Sequence, residues 1–213
     1  MTDALNLLIG LVMGLNLVAL ASSRITSVIS WIALQGLALG LMPLLIEGHH
    51  TWLVWPVAVA TVALKGFLIP SLLRRAMRTV HIDREVRPLL GYVPSLLLGA
   101  ATTIGAVALG AMMPLLPEHA HVLLAGGSFA TASCGLLLMI VRSKAITQAC
   151  GYLMLENGIY LFGLLLIGST PLLVEAGILL DLTVAVFVIG IIVDRIQQEF
   201  DSLDTSVLTT LRE

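Results

Sequence analysis

RSKAITQACGYLMLENGIYLFGLLLIGSTP, residues 142–171, decides how this chain is read. Two basic residues, Arg142 and Lys144, precede an apolar run that closes on a Gly-Ser-Thr-Pro turn at 168–171. From Ala145 to Thr170 the only charge is Glu156. About 20 apolar residues cross the hydrocarbon core of a bilayer as a helix. A helix is required there, because lipid offers no partner for an unbonded backbone group. Within the run, Gln148, Tyr152, Glu156 and Tyr160 recur every four residues, which puts them on one drifting helical face. The stretch therefore reads as a membrane-spanning helix with a polar stripe and one acid near its middle.

The same pattern extends in both directions. After the turn, 171–193 is apolar except for Glu175 and Asp181. Before it, charges punctuate long uncharged stretches, and Lys65 is the only charge between Thr51 and Leu73. Seven spans follow, at 4–22, 25–46, 52–73, 92–115, 121–141, 145–168 and 171–193. No stretch alternates with period two, so a barrel is not expected. The first apolar run has no Lys or Arg before it and no small-residue cleavage site, and reads as a retained helix.

Composition agrees. The 213 residues are 58% hydrophobic and 11% charged, and the mean hydropathy is +1.03. A soluble domain carries about 25% charged residues, so lipid must be the solvent here. That excludes a soluble enzyme, a nucleic-acid binder and a disordered chain. A net charge of −2 favours neither nucleic acid nor acidic ligands. Cys134 and Cys150 lie in apolar runs and read as small core side chains. His49, His50, His119 and His121 read as exposed loop residues rather than metal ligands.

Basic residues set the expected orientation. Arg24, Arg74, Arg75, Arg78, Arg84, Arg87, Arg142, Lys144, Arg195 and Arg212 all fall on one face, which predicts the N-terminus outside and the C-terminus in the cytoplasm. Gly127, Ser128, Thr131 and Gly135 form a small-residue stripe suited to close helix packing. Residues 194–213 place Ile196, Phe200, Leu203, Val207 and Leu211 near helical spacing, which suits a helix lying on headgroups or docking on a partner subunit.

Ionisable residues inside a bilayer are costly and usually functional. Lys65, Glu156 and Asp181 are the deep ones. Glu156 lies 14 positions after Arg142, and Asp181 lies 14 positions before Arg195. Both carboxyls are therefore expected about 21 Å from the basic face, and Lys65, nine positions before Arg74, about 13 Å from it, from where its flexible stem can reach up toward the acids or down toward the headgroups. One lysine cannot neutralise two buried carboxylates, so charge balance calls for a proton on one of them. That suits a proton relay; a fixed Lys–carboxylate pair setting helix registry is the plainer alternative. Glu175 points away from Asp181 and reads as a rim residue. Pro70 is expected to loosen the third span locally.

The stretches Arg142-Ser-Lys-Ala-Ile, Gly151-Tyr-Leu-Met-Leu-Glu156-Asn157-Gly-Ile-Tyr and Glu175-Ala-Gly-Ile-Leu-Leu-Asp181, with Ile189-Gly190-Ile-Ile-Val-Asp194-Arg195, resemble the three-helix K-type subunit of respiratory complex I and the Mrp antiporter C subunit. The whole chain, including Leu64-Lys65-Gly-Phe-Leu-Ile-Pro70-Ser-Leu-Leu-Arg74-Arg75, is similar to the hydrogenase-4 component E family, membrane subunits of group 4 nickel–iron hydrogenase and formate hydrogenlyase complexes. The resemblance implies a glutamate on each of two neighbouring helices in a chain of proton-carrying charges. The family's glutamates align with Leu153 and Val186, so Glu156 and Asp181 are both displaced toward the outer face.

The expectation is an all-α polytopic membrane protein with three N-terminal spans (1–73), a basic cytoplasmic loop (74–91), a linking span (92–115), a K-subunit-like unit (121–193) and an amphipathic tail (194–213). By resemblance it is a non-catalytic subunit of a complex-I-related hydrogenase in a bacterial or archaeal inner membrane. It would contribute to the proton path and hold antiporter-like subunits together. Glu156 and Asp181 would carry protons, Lys65 would tune how tightly they are held, and Tyr152, Tyr160 and Gln148 would line the route. The chain itself would bind no cofactor; Fe–S clusters and a Ni–Fe centre would sit in partners, including a peripheral hydrogenase arm. A purely structural scaffold and a stand-alone secondary transporter are the alternatives.

Overall fold

The computed structural model describes residues 2–45, 54–80, 88–114, 123–165 and 190. Every regular element among them is helical. Helix α1 covers Thr2–Ala21 and α2 covers Ile25–Leu41, which tightens at Met42-Pro43 into a 3₁₀ turn over Met42–Leu45. Next comes one continuous helical rod in three parts: α3 over Val54–Thr61, a π-helical segment over Val62–Leu68, and α4 over Ile69–Val80. Helices α5 (Tyr92–Met112), α6 (Leu124–Val141) and α7 (Ala145–Leu164) follow. Three-residue links, 22–24 and 142–144, make α1 and α2, and α6 and α7, antiparallel neighbours.

Four segments are long and apolar enough to cross a bilayer: Asp3–Ala21, Ile25–Leu45, Tyr92–Met112 and Leu124–Val141. The chain is an all-α integral membrane protein. Helix α7 has the same span, 20 residues, or about 30 Å. It is more polar because it packs inside the bundle, where Glu156 and Asn157 are buried. Apart from Gly190, the seventh expected span, with Glu175 and Asp181, lies outside the described residues, as do the tail 194–213 and the four loop histidines.

The third span runs past its expected end. Residues 74–80, read as the start of the basic loop, continue α4, because Arg74 and Arg75 are exposed along it and need no break in the helix. The rod is also wider at Lys65 than a regular helix. The Ile69 N–H bonds the Leu64 carbonyl, five residues back, and the next residue, Pro70, has no N–H to offer. A π segment absorbs that gap in the ladder, which is the loosening expected of Pro70.

Small residues let the backbones meet. A Cβ on Gly151 of α7 would stand 2.8 Å from the Met139 nitrogen and 2.9 Å from the Gly135 carbonyl of α6. A Cβ on Gly36 of α2 would stand 2.6 Å from the Lys65 Cβ and 2.8 Å from its carbonyl carbon. Lipid gives helices no hydrophobic drive toward one another, so this contact supplies the cohesion.

The interior is layered. One apolar cluster joins Ala19 and Leu20 of α1, Ile25 to Ile32 of α2, Ile69, Leu73 and Met77 of α4, Cys134 and Leu138 of α6, and Ile146 to Met154 of α7. It fills the half of the bundle nearest Arg24, Arg74 and Arg142, the arginine end. A second cluster joins Leu5, Ile9 and Val12 of α1, Ala38, Leu39 and Met42 of α2, Leu124 of α6, and Leu161 and Leu164 of α7. It fills the opposite half. Each helix that passes from one cluster to the other does so at a buried polar residue: Asn16, Gln35, Thr131, or Glu156 with Asn157. Lys65 joins that polar layer from the π segment.

Candidate functional site

Lys65 forms an ion pair with Glu156. The two residues are 5% and 2% exposed, so the pair is shielded from solvent. Position on two different elements brings them together. The π segment carries Lys65 against Gly36, and the α6–α7 glycine contacts hold α7 close on the other side. The ammonium also donates to Asn157 Oδ1 at 3.3 Å and stands 4.9 Å from the centre of the Tyr160 ring, a cation–π distance.

A row of hydrogen bonds continues from there across the bundle. Asn157 Nδ2 donates to Gln35 Oε1 at 3.2 Å. Gln35 Nε2 donates to Asn16 Oδ1 at 2.7 Å. Asn16 Nδ2 donates to Thr131 Oγ1 at 3.0 Å, and the Thr131 hydroxyl donates to the Gly127 carbonyl at 2.8 Å. Every donor points away from Lys65. An ammonium has three donors and no acceptor, so it obliges Asn157 to present its oxygen, and each later amide inherits the same sense. The amides do not titrate. The groups here that can give or take a proton are the Lys65 amine, the Glu156 carboxyl and the Tyr160 hydroxyl.

A cavity of about 10 Å³ touches the pair. Lys65, Glu156 and Asn157 form its polar wall; Ile29, Ile32, Ile69, Pro70, Leu73 and Leu153 form the rest.

The structure separates the residues singled out in the sequence. Lys65, Glu156 and Tyr160 meet. Tyr152 lies one turn nearer the arginine end, half-buried against the apolar cluster. Gln148 is exposed at the start of α7, where its Nε2 donates to the Arg142 carbonyl at 3.0 Å. Asp181 lies outside the described residues. Asn16, Gln35 and Asn157 were not singled out as site residues; their signal was a lone amide in an apolar run, which composition reads as an ordinary interruption.

Arg142, counted from sequence among the surface basic residues, is fully buried. Its guanidinium donates to the Leu20 carbonyl at 2.5 Å and lies 4.4 Å from the centre of the Tyr92 ring. It thus caps the negative end of the α1 dipole and joins the α6–α7 link to α1 and α5.

No protein-family model matches the chain, and no solved structure matches it. Curated proteins do. An uncharacterised Mycobacterium tuberculosis protein, Rv0085, is 35% identical over 190 residues, 88% of this chain and 86% of that protein. Hydrogenase-4 component E of Escherichia coli K12 is 30% identical over 166 residues, 75% of this chain and 73% of that protein, and the Shigella flexneri protein of the same name matches equally. With that identity and coverage over a bundle of apolar helices, the chain belongs to the hydrogenase-4 component E family.

Proposed function

We propose that this chain is a membrane subunit of a nickel–iron hydrogenase complex related to complex I, in a bacterial or archaeal cell membrane, and that its Lys65–Glu156 pair exchanges a proton during turnover. The carrying observation is one buried acid–base pair among the described residues, held by a row of groups that do not titrate. In low dielectric, the charge of each partner depends strongly on the other. A proton arriving at Glu156 therefore loosens Lys65, and its departure restores the pair. Tyr160, over the ammonium, is the third exchangeable group. Asp181 would be the next carrier along the route, and antiporter-like subunits would take the proton onward. Fe–S and Ni–Fe chemistry would belong to a peripheral arm, with no cofactor on this chain.

The test is Glu156→Gln in the assembled complex, scored by turnover-driven acidification of inverted membrane vesicles and by subunit stoichiometry. Loss of a positioned proton carrier should cut translocation by about 10²-fold with assembly retained. Normal translocation by an assembled variant would refute the role.

One observation favours a scaffold instead: Asn16, Gln35, Asn157 and Thr131 only hold helices together. That reading predicts that Glu156→Gln alters assembly or nothing.

A further inference from the structure

The cavity beside the ion pair lies off-centre. Ile69 and Leu73 follow Lys65 on α4, Ile29 and Ile32 precede Gln35 on α2, and Leu153 precedes Glu156 on α7. Each of these steps runs toward the arginine end. The cavity therefore hangs below the polar layer, and its lower wall is wholly aliphatic. All five of these side chains are buried, at 0–4% exposure. They belong to the apolar cluster that continues through Ile25, Val28 and Ile146, with Trp31 and Tyr152 packed against its edge.

Volume and lining point to one occupant. About 10 Å³ is the room that one water needs, and a buried water takes about three hydrogen bonds. The polar wall supplies them: the Lys65 ammonium as donor, and the Glu156 carboxylate and Asn157 carbonyl as acceptors. Below that water the aliphatic wall offers no partner, so a column of water would not persist there.

We infer that the cavity holds one water against Lys65, Glu156 and Asn157, and that the collar of Ile29, Ile32, Ile69, Leu73 and Leu153 is a dry barrier that stops protons passing from this water to the arginine end. The inference rests on the proton-exchange reading for its purpose. The barrier itself is a property of the packing. A pair that exchanges protons inside a membrane needs such a seal on at least one side, or it would dissipate the gradient it serves.

Two measurements on the intact complex test it. The first is passive proton leak across de-energised inverted vesicles. Leu73→Ala opens the collar and should raise the leak severalfold over wild type, and adding Glu156→Gln should return it to the wild-type level. A leak unchanged in Leu73→Ala, or one that persists with Glu156→Gln, would overturn the barrier. The second is X-ray hydroxyl-radical footprinting of the wild-type complex, which needs no variant to fold. Leu153 and Leu73 should oxidise above Ile104, which is 71% exposed on the outer surface of α5. Oxidation at or below the Ile104 level would remove the water. Failure here is distinct from failure of the proposed function. Normal pumping by Glu156→Gln refutes the exchange role whatever Leu73→Ala does, and a tight Leu73→Ala refutes the barrier even where Glu156→Gln abolishes pumping.

Discussion

Replacing Lys65 by Met should be among the most damaging single changes in the molecule. The side chain keeps its length and loses its charge. Glu156, 2% exposed, then loses the ammonium beside it, and Asn157 loses the donor at 3.3 Å that fixes its amide. Breaking a buried pair from one side costs about 3–5 kcal/mol. At about 2–4 °C per kcal/mol for a chain of this size, thermal denaturation in mild detergent should fall by roughly 6–20 °C. Replacing both partners by apolar residues removes the stranded charge. Lys65→Met with Glu156→Met should therefore recover to within about 2 kcal/mol of wild type, since apolar replacements of buried pairs are often neutral. The pair would still be useless for proton exchange. A double variant as unstable as the sum of the two singles would refute the coupling on which the site is built.

Other outcomes follow from the same contacts. Gly36→Ala drives a methyl into the Lys65 backbone and should cost about 1–3 kcal/mol, whereas Gly14→Ala, with nothing within 4 Å, should leave the melting temperature unchanged or slightly raised. Gln35→Leu removes the acceptor of Asn157 and the donor to Asn16, so two buried amides should each forfeit about 1–3 kcal/mol, read as a lower melting temperature. Arg142→Lys should not rescue Arg142→Met, because an ammonium cannot both stack flat on Tyr92 and reach the Leu20 carbonyl; the two variants should accumulate at similarly reduced levels in membranes. Gln148→Ala, at an exposed position, loses its bond to the Arg142 carbonyl and should lower stability by about 1 kcal/mol or less, with proton translocation unchanged.

Much of the helical fold could be read from charge spacing, because a bilayer tolerates few charges and marks its helices by their absence. The described helices fall where uncharged runs were seen. What spacing could not supply was rotation. Depth counting put Lys65 about 8 Å nearer the arginine end than Glu156, yet the two form an ion pair. The long lysine stem covers part of that step, and α4 runs on to Val80, so Arg74 is not the end of its rod. Arg142 misled in the opposite way. It sits in a loop by sequence and in the core by contact, because the open C-terminus of α1 needs a donor. The amide row was invisible for a different reason. Asn16, Gln35 and Asn157 are unremarkable one at a time, and only the packing of α1, α2 and α7 aligns them.

Helix α5 contributes no side chain to that row. Its Thr103 turns back to its own Gly99 carbonyl at 2.7 Å, and its inner face is small: Ser95, Gly99, Thr103, Ala106 and Gly110. The other faces carry exposed Val93, Leu97, Ile104 and Met112. Helices α1, α2, α6 and α7 are pinned at one depth, since sliding any of them by a turn would carry an amide, a hydroxyl or an acid about 5.4 Å into an apolar layer. Helix α5 has no buried amide or acid to misplace; it is held instead by close packing, where a Cβ on Gly110 would stand 2.5 Å from the Gly126 nitrogen of α6, and by Tyr92 against the Arg142 guanidinium. A bilayer thicker or thinner than the bundle sets up a mismatch that some helix must absorb by tilting. That strain falls on α5, which can lean about its Gly110–Gly126 contact without moving a buried amide or acid, while the pinned helices keep the ion pair in register.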